Sequence, residues 1–75
     1  MTRLPRGLSG REVVKALQRA GFYIKRQKGS HIVLRRDNPF AQLVVPDHKS
    51  IDTRTLASIL DGADLSVEDF IKLTK

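Results

Sequence analysis

The chain has 75 residues and a formal net charge of +6, with 14 Lys and Arg against 8 Asp and Glu. It has no cysteine, which excludes disulfides and thiolate metal sites and suits a reducing compartment such as the cytoplasm. No apolar run is long enough to span a membrane. This length predicts a single domain, residues 1–75, with a thin hydrophobic core.

The first segments predict a basic arm followed by a helix. Residues 1–8 are basic but lack the apolar stretch of a signal peptide, so we interpret them as a short N-terminal arm. Ser9 and Glu12 fit a capping box that opens a helix over residues 9–21, with apolar positions at helical spacing. Gly21 is suited to end this helix in a left-handed conformation.

Three strand-like segments follow within residues 22–45. Residues 22–27 and 31–36 alternate between apolar and polar side chains, which is typical of strands with one buried face. Residues 40–45 are rich in strand-forming residues, and Pro46 ends the segment. The short connections between the segments favour pairing of neighbours along the chain.

The remaining chain, residues 52–73, predicts two helices. Asp52 caps a helix that starts near Thr53, and Gly62 is placed to close it. Ser66 then opens a last short helix. The resulting order α-β-β-β-α-α predicts an α+β fold, in which a three-stranded antiparallel meander carries its helices on one face.

The register of the first hairpin follows from keeping apolar residues on one face. A three-residue loop, Lys28–Ser30, sets Gln27 opposite His31 and Ile24 opposite Leu34. A shorter loop mixes the faces, so the three-residue loop is preferred. Its left-handed position suits glycine best.

The second hairpin places both histidines at one end of the sheet. A two-residue turn at Asp37-Asn38 sets Val44 opposite His31, which puts His31 on the face away from the helices. His48 follows the end of the third strand, so we expect it at the same end. Lys25 and Lys28 are predicted there too. The free amides at the start of the second helix also lie at this end and favour anions.

The charge distribution indicates a polyanionic partner. Between Phe22 and Arg36 the chain has five cations and no acidic residue. Nucleic acid is the commonest partner of such a patch, and a histidine beside it is suited to general acid or base catalysis. The alternative is that an exposed histidine at a strand start is an ordinary surface residue, and the pattern alone leaves both interpretations open.

Several short motifs, in a fixed order, cover nearly the whole chain. They are Ser9-Gly10, Ala20-Gly21-Phe22, Gly29-Ser30-His31, Val45-Pro46-Asp47-His48, Thr55-Leu56 and Leu65-Ser66. With these motifs the chain resembles the HicA toxin family of small mRNA interferases. One departure is Arg54, where members of that family often have glycine.

The resemblance implies a double-stranded-RNA-binding-like fold and ribosome-independent cleavage of mRNA, inhibited by a HicB-type antitoxin. By matching position, His31 is the catalytic residue, and His48 matches a second family histidine whose role is open. The residues expected to contact RNA are Lys25, Lys28, Gly29, Ser30, Arg35, Lys49 and Arg54. No metal, cofactor or membrane is expected to take part.

The chemistry that fits is attack of a ribose 2′-hydroxyl on its own phosphate, with His31 moving one of the two protons. Lys25 and Lys28 would neutralise the charge that develops on the phosphate. Asp47 either orients His48 or forms the turn beside Pro46.

Two other functions fit parts of the pattern. A non-catalytic RNA-binding module is one, although a duplex binder would carry lysines where this chain has Asp52 and Arg54. A protein-interaction module is the other, because Val33, Phe40 and Val44 are predicted on the uncovered face.

Overall fold

The computed structural model of the chain describes residues 3–75. Its elements are α1 (Gly10–Arg19), β1 (Tyr23–Lys28), β2 (His31–Asp37), β3 (Phe40–Pro46), α2 (Thr53–Ala63) and α3 (Val67–Leu73). The strands form one antiparallel sheet in the order β1-β2-β3. This is the predicted α+β meander. Residues 1 and 2 of the predicted N-terminal arm lie outside the described residues.

The predicted helix starts are confirmed by their caps. The hydroxyl of Ser9 accepts the Glu12 N–H at 3.1 Å, and the Glu12 carboxylate accepts the Ser9 N–H at 2.9 Å. The hydrogen bond from the Ser9 backbone holds the pKa of Glu12 below its usual value. Asp52 and Ser66 cap α2 and α3, and Gly21 follows α1 with a φ of 97°. Local sequence therefore sets these boundaries.

The end of α2 differs from the prediction. Gly62 lies inside the helix, which continues to Ala63, and Asp64 takes the left-handed position with a φ of 58°. Aspartate is one of the few residues other than glycine that visit this conformation, so the helix does not need Gly62 to end it.

The helices cover one face of the sheet. Seven large side chains are fully buried: Val13, Leu17, Ile32, Leu34, Val45, Leu56 and Phe70. Leu4 and Leu8 of the N-terminal arm pack partly against this core. None of the helices in residues 3–75 has the length and apolar character needed to cross a membrane.

The opposite side of the sheet, called the open face below, is defined by directly opposed residues, which share a face. Its residues are Tyr23, Arg26 and Lys28 of β1, His31, Val33, Arg35 and Asp37 of β2, and Phe40, Gln42, Val44 and Pro46 of β3. Val33 is 8% exposed but lies outside the main core cluster. It is therefore covered by its neighbours on the open face.

The turn between β1 and β2 is one residue shorter than predicted. It consists of Gly29-Ser30, so that Lys28 opposes His31, and Gln27 moves to the helix-covered face. Gly29 has a φ of 58°, which confirms the predicted left-handed glycine. The predicted loop was wrong because it assumed an uninterrupted ladder along β1.

A bulge at Lys25 explains why the start of β1 pairs with β2 as predicted whereas its end is shifted by one residue. Ile24 opposes Leu34 as predicted, but beyond the bulge Arg26, and not Lys25, opposes Val33. A bulge inserts one unpaired residue into one strand and shifts every later pair by one. Arg26 thereby lies opposite Val33 on the open face, where an uninterrupted ladder would place Lys25.

The second turn also shifts, without changing the faces. It consists of Asn38-Pro39 instead of Asp37-Asn38, and His31 opposes Pro46 instead of Val44. Proline has no N–H for the sheet, so the turn is a better place for it than the strand. The shift is of two residues, so His31 stays on the open face as predicted.

Candidate active site

His31 begins β2 and is exposed on the open face, between Lys28 and Pro46 in the sheet. His48, also exposed, comes two residues after Pro46. Consecutive Cα atoms are ~3.8 Å apart, so this connection spans at most about 7 Å. The two histidines therefore lie at the same end of the sheet, in agreement with the prediction.

Backbone hydrogen bonds join the two segments that carry the histidines. The N–H of Asp47 donates to the carbonyl of Ser30 at 2.7 Å, so the residues that precede the two histidines are linked directly. The N–H of Gly10 donates to the carbonyl of His48 at 2.8 Å. The start of α1 is thus attached to the same place, which we call the histidine end: Gly10, Arg11, Lys28, Ser30, His31 and residues 46–48.

Close approach of α1 to the end of β3 depends on the lack of a side chain at Gly10. Gly10 is buried, and a Cβ atom there would overlap the backbone carbonyl oxygen of Pro46. The neighbouring N–H of Ile51 donates to the carbonyl of Leu8 at 2.7 Å, which extends the contact. Glycine at this position therefore lets two backbones meet.

The carboxylate of Asp47 is bound by Arg11 and not by His48. Arg11 donates from Nε to Oδ1 at 3.2 Å and from Nη2 to Oδ2 at 3.0 Å, and Gln27 donates from Nε2 to Oδ2 at 3.4 Å. A two-pronged arginine–carboxylate pair fixes direction as well as distance. Of the two roles predicted for Asp47, the orientation of His48 is not seen in residues 3–75, because the carboxylate binds Arg11 and Gln27 instead.

Four of the predicted RNA-binding cations are exposed around this end, together with Arg26, which is not among the predicted residues. Lys28 and Arg26 project from the open face of β1, Lys25 lies in the bulge, and Lys49 and Arg54 follow His48 in the chain. Within residues 3–75 none of the five forms an ion pair. They are available to a negatively charged ligand.

Arg35 is different, because it is already engaged. Its Nε lies 2.8 Å from Oδ1 of Asp37, and its guanidinium lies 5.1 Å from the centre of the Phe40 ring. The hydroxyl of Tyr23 donates to the same carboxylate at 3.0 Å. Burial, and then the Asp37 carboxylate, raise the pKa of Tyr23. We call this cluster the aromatic end: Tyr23, Arg35, Asp37 and Phe40.

The start of α2 is less open to anions than predicted. Oδ1 of Asp52 accepts the N–H of Thr55 at 2.7 Å, and this hydrogen bond holds the pKa of Asp52 below its usual value. His48, Asp52 and Thr55 line a pocket at the start of α2. The capping carboxylate thus already occupies part of the site predicted for phosphate.

The arrangement combines exposed imidazoles with unpaired cations. Imidazole can accept or donate a proton near neutral pH, and Lys28, which opposes His31, can place positive charge beside it. In the part of the chain that the structure describes, no group of three or more His, Asp or Glu side chains is placed to hold a metal ion. Proton transfer and charge neutralisation are the chemistry that these groups offer.

The comparison with protein families identifies the chain. The model described as HicA toxin of bacterial toxin-antitoxin matches residues 10–65, about three quarters of the sequence and both histidines. A search of curated proteins returned no match. The family match confirms the resemblance that the motifs indicated. The chain therefore belongs to the HicA toxin family and is the toxin of a toxin–antitoxin system.

Proposed function

We propose that this toxin is a metal-independent endoribonuclease that cleaves mRNA in the cytoplasm and is inhibited by a HicB-type antitoxin. The family match supports this, since HicA toxins are generally RNases. The observation that carries the proposal is the exposed His31, at the same end of the sheet as a second histidine and as cations that form no ion pair within residues 3–75.

The reaction requires two proton transfers. The ribose 2′-oxygen forms a bond to the adjacent phosphorus while the bond from phosphorus to the 5′-oxygen breaks. A base takes the 2′ proton, and an acid gives a proton to the departing 5′-oxygen. His31 serves one of these roles and His48 the other, and the products are a 2′,3′-cyclic phosphate and a 5′-hydroxyl.

The cations supply the electrostatic part. Negative charge builds up on the phosphate oxygens during attack, and a fixed cation beside them lowers the barrier. Lys28 opposes His31 directly, so it is the cation best placed for this role. Lys49 and Arg54 on one side and Arg26 and Lys25 on the other hold the RNA backbone.

The contacts of Asp47 set the spacing of the two histidines. Its backbone N–H binds the carbonyl before His31, and its carboxylate is held by Arg11 on α1. A reacting pair must lie within about an ångström of the productive geometry. A fixed spacing of the histidines therefore matters more for the rate of cleavage than for the stability of the fold. Asp47 and Arg11 are positioning residues in this proposal.

The test is cleavage of single-stranded RNA by the purified chain in the presence of EDTA. We expect cleavage by the wild type, products with 2′,3′-cyclic phosphate ends, and a rate at least ~100-fold lower for His31→Ala. Lys15→Ala, an exposed change on α1, is the matched control and should cleave normally. Circular dichroism checks that each variant is folded.

Two outcomes would contradict the proposal. Equal rates for the wild type and His31→Ala would remove His31 from the chemistry. Binding of RNA without cleavage by the wild type would favour the non-catalytic RNA-binding module instead.

A further inference from the structure

The aromatic side chains of this small domain divide into two groups. Phe22 and Phe70 are buried, whereas Tyr23 is 43% exposed and Phe40 is 64% exposed. Both exposed rings belong to the open face, which also carries His31. Two large rings in water lose the stabilisation that burial would provide, and a ligand that covers them on this face would recover it.

The aromatic end is held in a defined arrangement. The Arg35 guanidinium lies over the Phe40 ring, its Nε pairs with Asp37, and the Tyr23 hydroxyl donates a hydrogen bond to the same carboxylate. Groups that are already ordered lose little conformational entropy when a ligand binds. The charges of Arg35 and Asp37 cancel, so this end offers flat surfaces and hydrogen-bonding groups but little net charge.

The open face also has two parallel rows of different character. Lys28 and Arg26 form a cationic row on β1, and Val44 and Phe40, which are 47% and 64% exposed, form an apolar row on β3. The rows are two strand spacings apart, about 10 Å. Single-stranded RNA likewise presents charged phosphates on one side and the faces of its bases on the other.

We propose that the aromatic end is a base-stacking subsite for single-stranded RNA. A base of the substrate stacks on Phe40 and Tyr23, and its edge faces the polar groups of Arg35 and Asp37. The identity of the ligand rests on the proposed function. The subsite lies six residue steps along β2 from His31, about 20 Å, so it holds the RNA several nucleotides from the bond that is cut.

Unpaired bases fit this surface better than a duplex does. Side chains recognise a duplex mainly through phosphates and 2′-hydroxyls, whereas bases of a single strand can be splayed out and stacked on aromatic rings or guanidinium planes. The open face supplies both kinds of stacking surface. The subsite thus selects single-stranded segments of mRNA.

The chain contains its own probe of this site. Tyr23 is the only tyrosine and there is no tryptophan, so intrinsic fluorescence reports on the aromatic end alone. With His31→Ala as the parent, to prevent cleavage, a single-stranded RNA oligonucleotide is titrated in. We expect quenching of Tyr23, much less quenching by an abasic oligonucleotide of equal length, and binding about tenfold weaker when Phe40→Ala is added.

The matched control is Ile24→Ala, which removes an apolar side chain that is 40% exposed on the helix-covered side of β1. It should leave RNA affinity unchanged. An RNA affinity of the Phe40→Ala variant equal to that of its parent would overturn the subsite and leave the exposed rings as a protein-contact surface. Since binding is measured, the result is separate from cleavage: stacking without cleavage sinks only the proposed activity, and cleavage without a Phe40 effect sinks only the subsite.

Discussion

The two ends of the open face use charge in opposite ways. At the histidine end, Lys28 has no ion-pair partner among residues 3–75, and the fixed ion pair there, between Arg11 and Asp47, connects α1 to the end of β3. At the aromatic end, Arg35 is neutralised by Asp37, two residues along the same strand. The histidine end therefore keeps an unpaired cation for a ligand. At the aromatic end the two charges neutralise each other and hold the aromatic rings in place.

This difference matches what each end is proposed to do. Chemistry at a phosphate needs unpaired positive charge and fixed distances between groups that come from different elements. Stacking does not need unpaired charge, because a base is neutral, and it tolerates small displacements better than a proton transfer does. The ends are about 20 Å apart, which exceeds the Debye length of about 8 Å at physiological salt, so exposed charges at one end are largely screened at the other.

The largest effect is expected at Gly10. Gly10→Ala places a methyl group against the Pro46 carbonyl, so α1 must move away from the histidine end. We expect the free energy of unfolding to fall by about 1–3 kcal/mol, as measured by urea titration.

Gly62→Ala is the matched control for this change. Its Cβ would lie 3.9 Å from that of Leu43, an ordinary contact inside α2. There alanine should raise the free energy of unfolding by about 0.5–1 kcal/mol, because glycine is a poor helix former. Equal effects at both positions would show that the approach of α1 to β3 is not a special constraint.

Substitutions that break the ion pair at each end should have different effects. Asp47→Asn weakens the grip of Arg11 on the loop that carries His48, so we expect the rate of RNA cleavage at saturating substrate to fall about tenfold. Asp37→Asn loosens only the aromatic end, so it should raise KM more than it lowers kcat. A pattern in which both variants change kcat equally would remove the distinction between positioning and binding.

Much of this architecture could be predicted from local sequence, and the failures share a cause. The caps at Ser9, Asp52 and Ser66 were predicted because the groups that make them lie within three residues of each other. The predicted placement of His31 on the open face also holds, although the predicted turn was wrong, because a two-residue register shift preserves the faces.

The rest depends on contacts between distant parts of the chain. Arg11 and Asp47 are 36 residues apart, and nothing in the pattern of α1 separates Arg11 from the other basic residues of that helix. The bulge at Lys25 also leaves no signal in the sequence, because a bulge can lie at any position where the ladder tolerates an extra residue. Alternation of apolar residues indicates which face of the sheet each residue occupies. It does not show where a strand contains an extra residue.

A smaller effect tests the unpaired charge of the histidine end. Lys28→Gln removes one cation opposite His31, so we expect RNA binding to weaken several-fold and the dependence of log K on log salt to become less steep by about 0.7. Lys15→Gln on α1 is the matched control. If both variants reduce the salt dependence alike, RNA attraction is a property of the whole surface and the two ends do not differ.

The smallest effect concerns the acid that borders the histidine end. The hydrogen bond from the Thr55 N–H lowers the pKa of Asp52 in the folded chain, so its contribution to stability is present above the usual pKa of aspartate and is lost as the pH falls through the lowered value. Asparagine caps helices as well as aspartate but does not titrate in this range. Asp52→Asn should therefore unfold like the wild type near pH 7 and lose less stability as the pH falls below about 4, the usual pKa of aspartate, as followed by thermal unfolding at each pH. A wild-type slope retained in the variant would assign the acid sensitivity to other carboxylates, of which Glu12 has the same direction of shift. It would also mean that the carboxylate at the start of α2 is dispensable to the fold, so that its negative charge beside His48 would need a functional reason.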